Sequence, residues 1–147
     1  MKPFSFRLDR IRRYRNYREK EAQIALAKAK SEQRELQEAE NRLGSERIEA
    51  ARRCRNEVVA GISVPVYLMY GAFLARLSSE IDDTHVGLKQ AEKNVKSREA
   101  ALLQESVSRK ALERLRELKY KRYTKNQDRE EQKILDELVL LRRGNNP

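Results

Sequence analysis

Apolar and small residues recur along the chain at alternating intervals of three and four. One series runs through residues 8–50 in a single heptad frame, without proline and with Gly44 as its only glycine. A second series keeps one frame through residues 74–102, and further leucines and isoleucines continue the apolar face toward the C-terminus. Good helix formers fill the positions between them, as in "KAKSEQRELQEAE". The pattern predicts long amphipathic helices with a narrow apolar seam.

The pattern is broken by "GISVP", which places a turn at about residues 61–65. Helix one is then expected over about residues 6–60 and helix two over about residues 66–142. A short connection folds two helices back on each other, so that residue n faces roughly residue 126 − n. We therefore predict an all-α protein whose two long helices form an antiparallel coiled-coil hairpin, as a single domain over residues 1–147. The C-terminal part of helix two would overhang helix one and be free to fray.

Residues 58–75 contain no Asp, Glu, Lys or Arg, although 38% of the chain is charged. Pro65 and two tyrosines in the middle of this stretch argue against a membrane-spanning helix, and the chain offers no partner for an isolated strand. The stretch is therefore interpreted as the turn and the start of helix two. Its apolar residues exceed what a seam needs, which favours a contact site for another protein. Local packing across the turn is the open alternative.

Composition and charge narrow the picture further. The chain has no Trp, three Phe and a mean hydropathy of −0.90, which is typical of a coiled coil and not of a thick core. The net charge of +10 is concentrated at the ends: residues 1–20 carry +6, residues 109–147 carry +5, and the middle is nearly neutral. Such ends suggest an acidic partner, whether nucleic acid, anionic lipid or an acidic protein surface.

The arginines of "RLDRIRRYRNYREK" spread around nearly the whole helix instead of following one side. This distribution argues against specific nucleic-acid binding and favours an end surrounded by a protein partner, such as a post inside a ring. Arg15 and Arg18 fall on the seam, which predicts a loose hairpin there. A basic coiled-coil protein that binds nucleic acid or acts as a structural spacer is kept as the alternative.

Catalytic chemistry is not predicted. His85 is the only histidine, the sequence has no Gly-rich phosphate loop, and adjacent acidic pairs point to different helix faces. We expect no enzyme activity, no metal and no cofactor. The single Cys54 excludes an internal disulfide and fits a reducing compartment, and the N-terminus lacks a signal-peptide pattern. The sequence therefore predicts a cytoplasmic protein without a transmembrane segment, for which self-association through the thin seam is open.

The opening "MKPFSFRLDRIRRYRNYREKEAQ" resembles that of the flagellar export protein FliJ family. That family begins with Met-Lys, an aromatic pair around a small residue, then Phe-Arg-Leu and an Arg/Glu-rich helix. Length, helical pattern and mid-chain break agree across essentially the whole chain. The resemblance implies a hairpin similar to the gamma stalk of rotary ATPases, a member of the type III export machinery on its flagellar branch.

The resemblance also implies partners. The paired termini would enter the hexameric flagellar export ATPase and promote its assembly, while the turn side would meet the cytoplasmic domain of the export-gate membrane protein FlhA. Family members are further linked to the recycling of export chaperones. The protein would then lie in the cytoplasm, peripherally associated with the inner membrane through the export apparatus.

Candidate site residues follow from the same resemblance. The family's gate-contact face is an aromatic followed by apolar residues at helical spacing and a histidine, which "FLARLSSEIDDTH" matches in part. The closest alignment places Thr84, and not His85, at the family's histidine. The implied gate contacts are Phe73, Leu77, Ile81, Thr84 and His85. Position and charge alone suggest the ATPase-ring contacts Arg7, Arg10, Arg12, Arg13, Lys119, Lys121 and Arg122.

Overall fold

The structure, a computed structural model, describes residues 2–144. It contains two α-helices, α1 (Asp9–Ala60) and α2 (Val64–Gly144), and no strand over the described residues. The two helices pack against each other, so the predicted all-α antiparallel coiled-coil hairpin is confirmed. α2 extends to Gly144, two residues beyond the expected end at about residue 142, and residues 145–147 lie outside the described residues.

α1 begins at Asp9, three residues later than expected, because the segment before it packs on α2 instead of forming a helical turn. The N–H of Asp9 donates to the carbonyl of Phe6 at 3.0 Å, and the N–H of Arg12 donates to the carbonyl of Leu8 at 2.9 Å. Asp9 places a negative charge in the first turn, where it interacts favourably with the helix dipole. Residues 2–8 are non-helical, and we refer to them as the N-terminal strap.

The connection between the helices is only three residues long, Gly61 to Ser63. Gly61 has a φ of 94°, which L-residues with a Cβ rarely adopt, and its N–H donates to the carbonyl of Val58 at 3.2 Å. α2 starts at Val64, two residues before the predicted position, since Pro65 is compatible with a first helical turn. The carbonyl of Ser63 then accepts the N–H of Tyr67 at 3.1 Å.

The chain divides into two compact units. Unit 2 spans Glu21–Leu102 and contains the turn. Its seam is apolar: Leu77 is only 1% exposed and packs with Leu43 and Ala50. The cross-helix pair His85–Glu40 fits the predicted register. The buried side chains of unit 2 are Ala29, Leu43, Ala50, Leu77, Leu88 and Val95.

Unit 1 comprises Met1–Lys20 and Leu103–Pro147. Among its described residues, Phe6 is the one buried apolar side chain. Polar pairs join its helices: Arg12 lies 3.3 Å from Glu113, and Glu19 accepts hydrogen bonds from Arg109 and Ser106. The pairing of Arg12 with Glu113 fits the predicted register as well.

Arg15 and Arg18, whose seam positions predict a loose hairpin, both pair with a carboxylate of α2. Both guanidinium groups reach Glu105, at 3.8 Å and 3.2 Å, and the Glu105 side chain is only 16% exposed. Arg18 donates hydrogen bonds to one carboxylate oxygen, while the other oxygen, facing Arg15, accepts none. Ion pairs therefore replace apolar contacts at this level of the seam.

Candidate partner-binding surfaces

The uncharged stretch around the turn of unit 2 is largely exposed. Val59 is 89% exposed, Val64 70%, Leu68 64% and Met69 71%. Such a concentration of solvent-exposed aliphatic side chains is unusual outside interaction sites. Local packing, the open alternative from the sequence, accounts for Leu74 but not for these four residues. No helix among the described residues is long and apolar enough to cross a membrane.

A shallow groove of about 420 Å³ lies beside the turn, between the end of α1 and the start of α2. A hydrogen bond with Glu57 raises the pKa of the Tyr70 hydroxyl, and desolvation adds to this effect. Phe73 borders the groove with 38% of its surface exposed, and the guanidinium of Arg76 lies 5.3 Å from its ring centroid. The groove is lined by Glu57, Val66, Met69, Tyr70 and Phe73.

The five predicted gate-contact residues differ in how far they are exposed. Phe73 and His85 are exposed, and His85 Nδ1 lies 3.0 Å from a carboxylate oxygen of Glu40. Leu77 is buried in the seam and Ile81 packs against its cluster, so these side chains hold the helices together. The half-buried Thr84 donates its hydroxyl to a backbone carbonyl of α2 at 2.8 Å. A partner could touch the first pair directly, while the seam residues would act by positioning them.

In unit 1 the N-terminal strap packs on α2 through aromatic rings. The Phe4 ring lies 5.2 Å from that of Tyr120, edge to face, and 5.6 Å from that of Tyr123. The Tyr123 hydroxyl donates to the carbonyl of Lys2 at 2.9 Å. We call Phe4, Phe6, Tyr120 and Tyr123 the aromatic cluster.

Basic side chains surround the aromatic cluster. Lys119 places its ammonium 5.8 Å from the centroid of the Phe6 ring, and the remaining predicted ring contacts on the strap and α2 are exposed. Two of the predicted contacts have structural partners, since Arg12 binds Asp9 and Glu113 and Arg13 binds Asp9. The predicted contacts available to a partner without breaking such pairs are Arg7, Arg10, Lys121 and Arg122.

The Asp9 carboxylate interacts with several arginines at the start of α1. A hydrogen bond from Arg12 is the main cause that lowers the pKa of the Asp9 carboxyl; desolvation opposes it, and the charges of Arg12, Arg13 and Arg116 lower the pKa further. The same hydrogen bond raises the pKa of Arg12. Arg12 therefore has a local structural role that its neighbours Arg7 and Arg10 do not share.

The sequence reasoning missed the aromatic cluster. It gave no role to Tyr120 and Tyr123, and it began helix one inside the strap. A signal was present: two phenylalanines two residues apart near the N-terminus, and two tyrosines at helical i, i+3 spacing in α2.

The two helices make this a coiled-coil protein, with an exposed basic region beside the strap in unit 1 and an exposed uncharged turn in unit 2. A family model described as "Flagellar FliJ protein" matches residues 4–147, and the chain belongs to this flagellar FliJ family. Curated proteins and solved structures gave no match. The family is a non-catalytic component of flagellar export, so the chain has a flagellar export-related role and partners in the export apparatus.

Proposed function

We propose that this protein is a non-catalytic stalk and coupling factor of the flagellar export apparatus. Its basic terminal region would bind the hexameric export ATPase and promote assembly and activity of the ring. The observation that supports this most is the set of exposed basic side chains on both the strap and the facing part of α2 in unit 1. Charge presented from two elements suits a partner that encloses the region, as a ring encloses a post.

The test is a titration of the full-length protein into the export ATPase, following ATP hydrolysis and hexamer formation at near-physiological salt. Removing four exposed charges of unit 1 should raise the concentration needed for half-maximal stimulation by about tenfold, since each charge contributes a few tenths of a kcal/mol or more. The test variant combines Arg7→Ala, Arg10→Ala, Lys121→Ala and Arg122→Ala. The matched control removes four exposed charges of unit 2: Lys28→Ala, Lys30→Ala, Arg34→Ala and Arg47→Ala.

Point substitutions are preferable to deletion of residues 1–13, because deletion also removes the aromatic contacts of the strap. Equal effects of the two variants would refute a dedicated ring contact in unit 1. Absence of stimulation, together with tight salt-dependent binding to duplex DNA, would instead favour the alternative of a nucleic-acid-binding coiled coil.

We further propose that the face bearing Phe73 and His85 contacts the cytoplasmic domain of the export gate. Phe73 combines exposure with the neighbouring groove, which offers a partner both an aromatic anchor and a cavity. Phe73→Ala should weaken gate binding about tenfold without changing helicity. Val86→Ala, at a 70% exposed position of α2, is the control. Recycling of export chaperones and peripheral location at the inner membrane belong to this proposal, with no residues assigned to either.

A further inference from the structure

The turn of unit 2 carries an exposed group of apolar side chains, of which only Met69 also lines the groove beside Phe73. These are Val59 at the end of α1 and Val64, Tyr67, Leu68 and Met69 in the first turns of α2, and we call them the apolar cap. Each is more than half exposed, from 54% for Tyr67 to 89% for Val59. Exposing this much apolar surface to water is unfavourable, so the cap is expected to be covered by a partner.

The arrangement of the cap distinguishes between kinds of partner. At about 100° per residue, the four α2 members of the cap spread over an arc of about 200° around the helix. A protein-docking face would gather such residues on one side, as an amphipathic helix does. An arc of this width, together with Val59 at the end of α1, suits a fluid apolar medium that follows the shape of the whole turn.

The charged residues of the two helices begin at different distances from the turn. Residues 58–75 have no charge, and the nearest charges on α1 are Glu57 and then Arg55, Arg53 and Arg52. At about 1.5 Å per residue these arginines lie roughly 8–12 Å from the end of α1. The side chains of Arg52 and Arg53 are 63% and 68% exposed, and both pair with Glu49. The acidic residues of α2 begin only at Glu80, about 24 Å from its start.

We propose that the apolar cap inserts into the interfacial layer of an anionic lipid bilayer, with the three arginines of α1 contacting headgroup phosphates. Interfacial segments typically bury apolar side chains about 5–10 Å deep, which matches the first turns of α2. Arginines at headgroup depth attract anionic lipids. Phe73 is about 14 Å from the start of α2, so its ring stays outside the bilayer and accessible to a protein, while the Met69 end of the groove lies at the headgroups.

The chain contains no tryptophan, which permits a site-specific fluorescent reporter in the full-length protein. Tyr67→Trp places the reporter in the cap, and Tyr14→Trp places it on α1 of unit 1 at almost the same exposure, 53% against 54%. With vesicles of phosphatidylcholine and phosphatidylglycerol at a ratio of about 3:1, the cap reporter should shift to the blue and be quenched by brominated lipids. The unit 1 reporter should show neither change, even though the basic residues of unit 1 are expected to attract the same anionic vesicles.

A pair of variants measures the apolar contribution. Leu68→Ser with Met69→Ser should lower vesicle partitioning at least about tenfold at roughly 0.5 M salt, where electrostatic adhesion is screened. Ile48→Ser with Val86→Ser is the matched control, since these side chains are 71% and 70% exposed on unit 2 outside the uncharged stretch. Arg55→Gln should reduce the preference for anionic over zwitterionic vesicles.

Four outcomes would overturn the proposal. The fluorescence of the cap reporter could stay unchanged when vesicles are added, or the two serine pairs could lower vesicle partitioning equally. A blue shift that needs the export-gate domain and not lipid would assign the cap to protein docking. A shift that grows with protein concentration without lipid would assign it to a second copy of this chain. None of these results bears on ATPase stimulation, so the stalk function is tested separately.

Discussion

In unit 2 the helices meet through aliphatic side chains, whereas in unit 1 they meet through arginine–carboxylate pairs and the strap packs on α2 through aromatic rings. Six buried apolar residues lie in the described seam of unit 2, against Phe6 alone in the described part of unit 1. Buried apolar area contributes about 25 cal/mol per Å² and is insensitive to salt, while exposed ion pairs contribute about 0.2–1 kcal/mol and are screened. Unit 2 is thus expected to supply stability, and unit 1 keeps its charges available to a partner.

The largest expected effect on stability comes from a substitution in the seam of unit 2. Leu77→Ala removes a side chain that is 1% exposed, and should lower the free energy of unfolding by about 2–4 kcal/mol. Urea denaturation followed by circular dichroism measures this change. Leu68→Ala, at a 64% exposed position of the same helix, should change it by less than about 0.5 kcal/mol. Similar losses in both variants would mean that the seam does not dominate stability.

This contrast also separates structure from binding. If Phe73→Ala weakens gate binding at unchanged stability while Leu77→Ala lowers both in parallel, the two residues have the different roles that their exposure suggests. A variant of Leu77 that binds the gate poorly but keeps full stability would contradict the positioning role given to it here.

A smaller effect is expected in unit 1 from Phe6→Ala. Phe6 is 7% exposed, and its loss should free the strap and lower protection of the first turns of α1 by about 2 kcal/mol or less. The change should stay local because terminal segments open without global unfolding. Amide hydrogen exchange resolves it, with Phe73→Ala as the aromatic control in unit 2. Uniform loss of protection along both helices would show that the two units are not independent in stability.

The fold followed from the sequence to different extents in the two units. In unit 2, leucines and alanines at strict three-four spacing leave one arrangement that buries them, so the seam and its register were predictable. In unit 1, the rings of Phe4 and Tyr123 meet although more than one hundred residues separate them, and no local period encodes such a contact. The strap was therefore mistaken for the start of helix one.

The candidate site was less accessible to sequence reasoning. Phe73, Leu77 and Ile81 share an i, i+4, i+8 spacing, which identifies one side of a helix but not whether that side faces the seam or a partner. Around the helix axis, the exposed Phe73 and the buried Leu77 differ in direction by less than half a turn. The assignment of all five gate residues and all seven ring residues stays a prediction.

The smallest expected effect is acid weakening of the start of α1. Because the pKa of Asp9 is lowered in the fold, its ionised form is favoured there, and the stabilisation is fully present above the ordinary value of 3.8. It should be lost as the pH falls below 3.8 through the lowered pKa. Carboxyl-carbon NMR of Asp9 follows the titration, and Asp9→Asn should remove the pH dependence of exchange at the first turn. Glu49, whose pKa is lowered by the hydrogen bond from Arg52, is the matching titration in unit 2.

The strap has a mechanical consequence. Its carbonyl at Lys2 is bonded to Tyr123, and its Phe4 ring is held between two tyrosines, so tension pulling on the N-terminus reaches α2 first. The first turn of α1 would feel that tension only after these contacts rupture. In a force-extension experiment, the strap should therefore give a separate low-force event that precedes unwinding of α1. A polypeptide fused to the N-terminus would leave the molecule beside Tyr123 and would not swing from the end of α1.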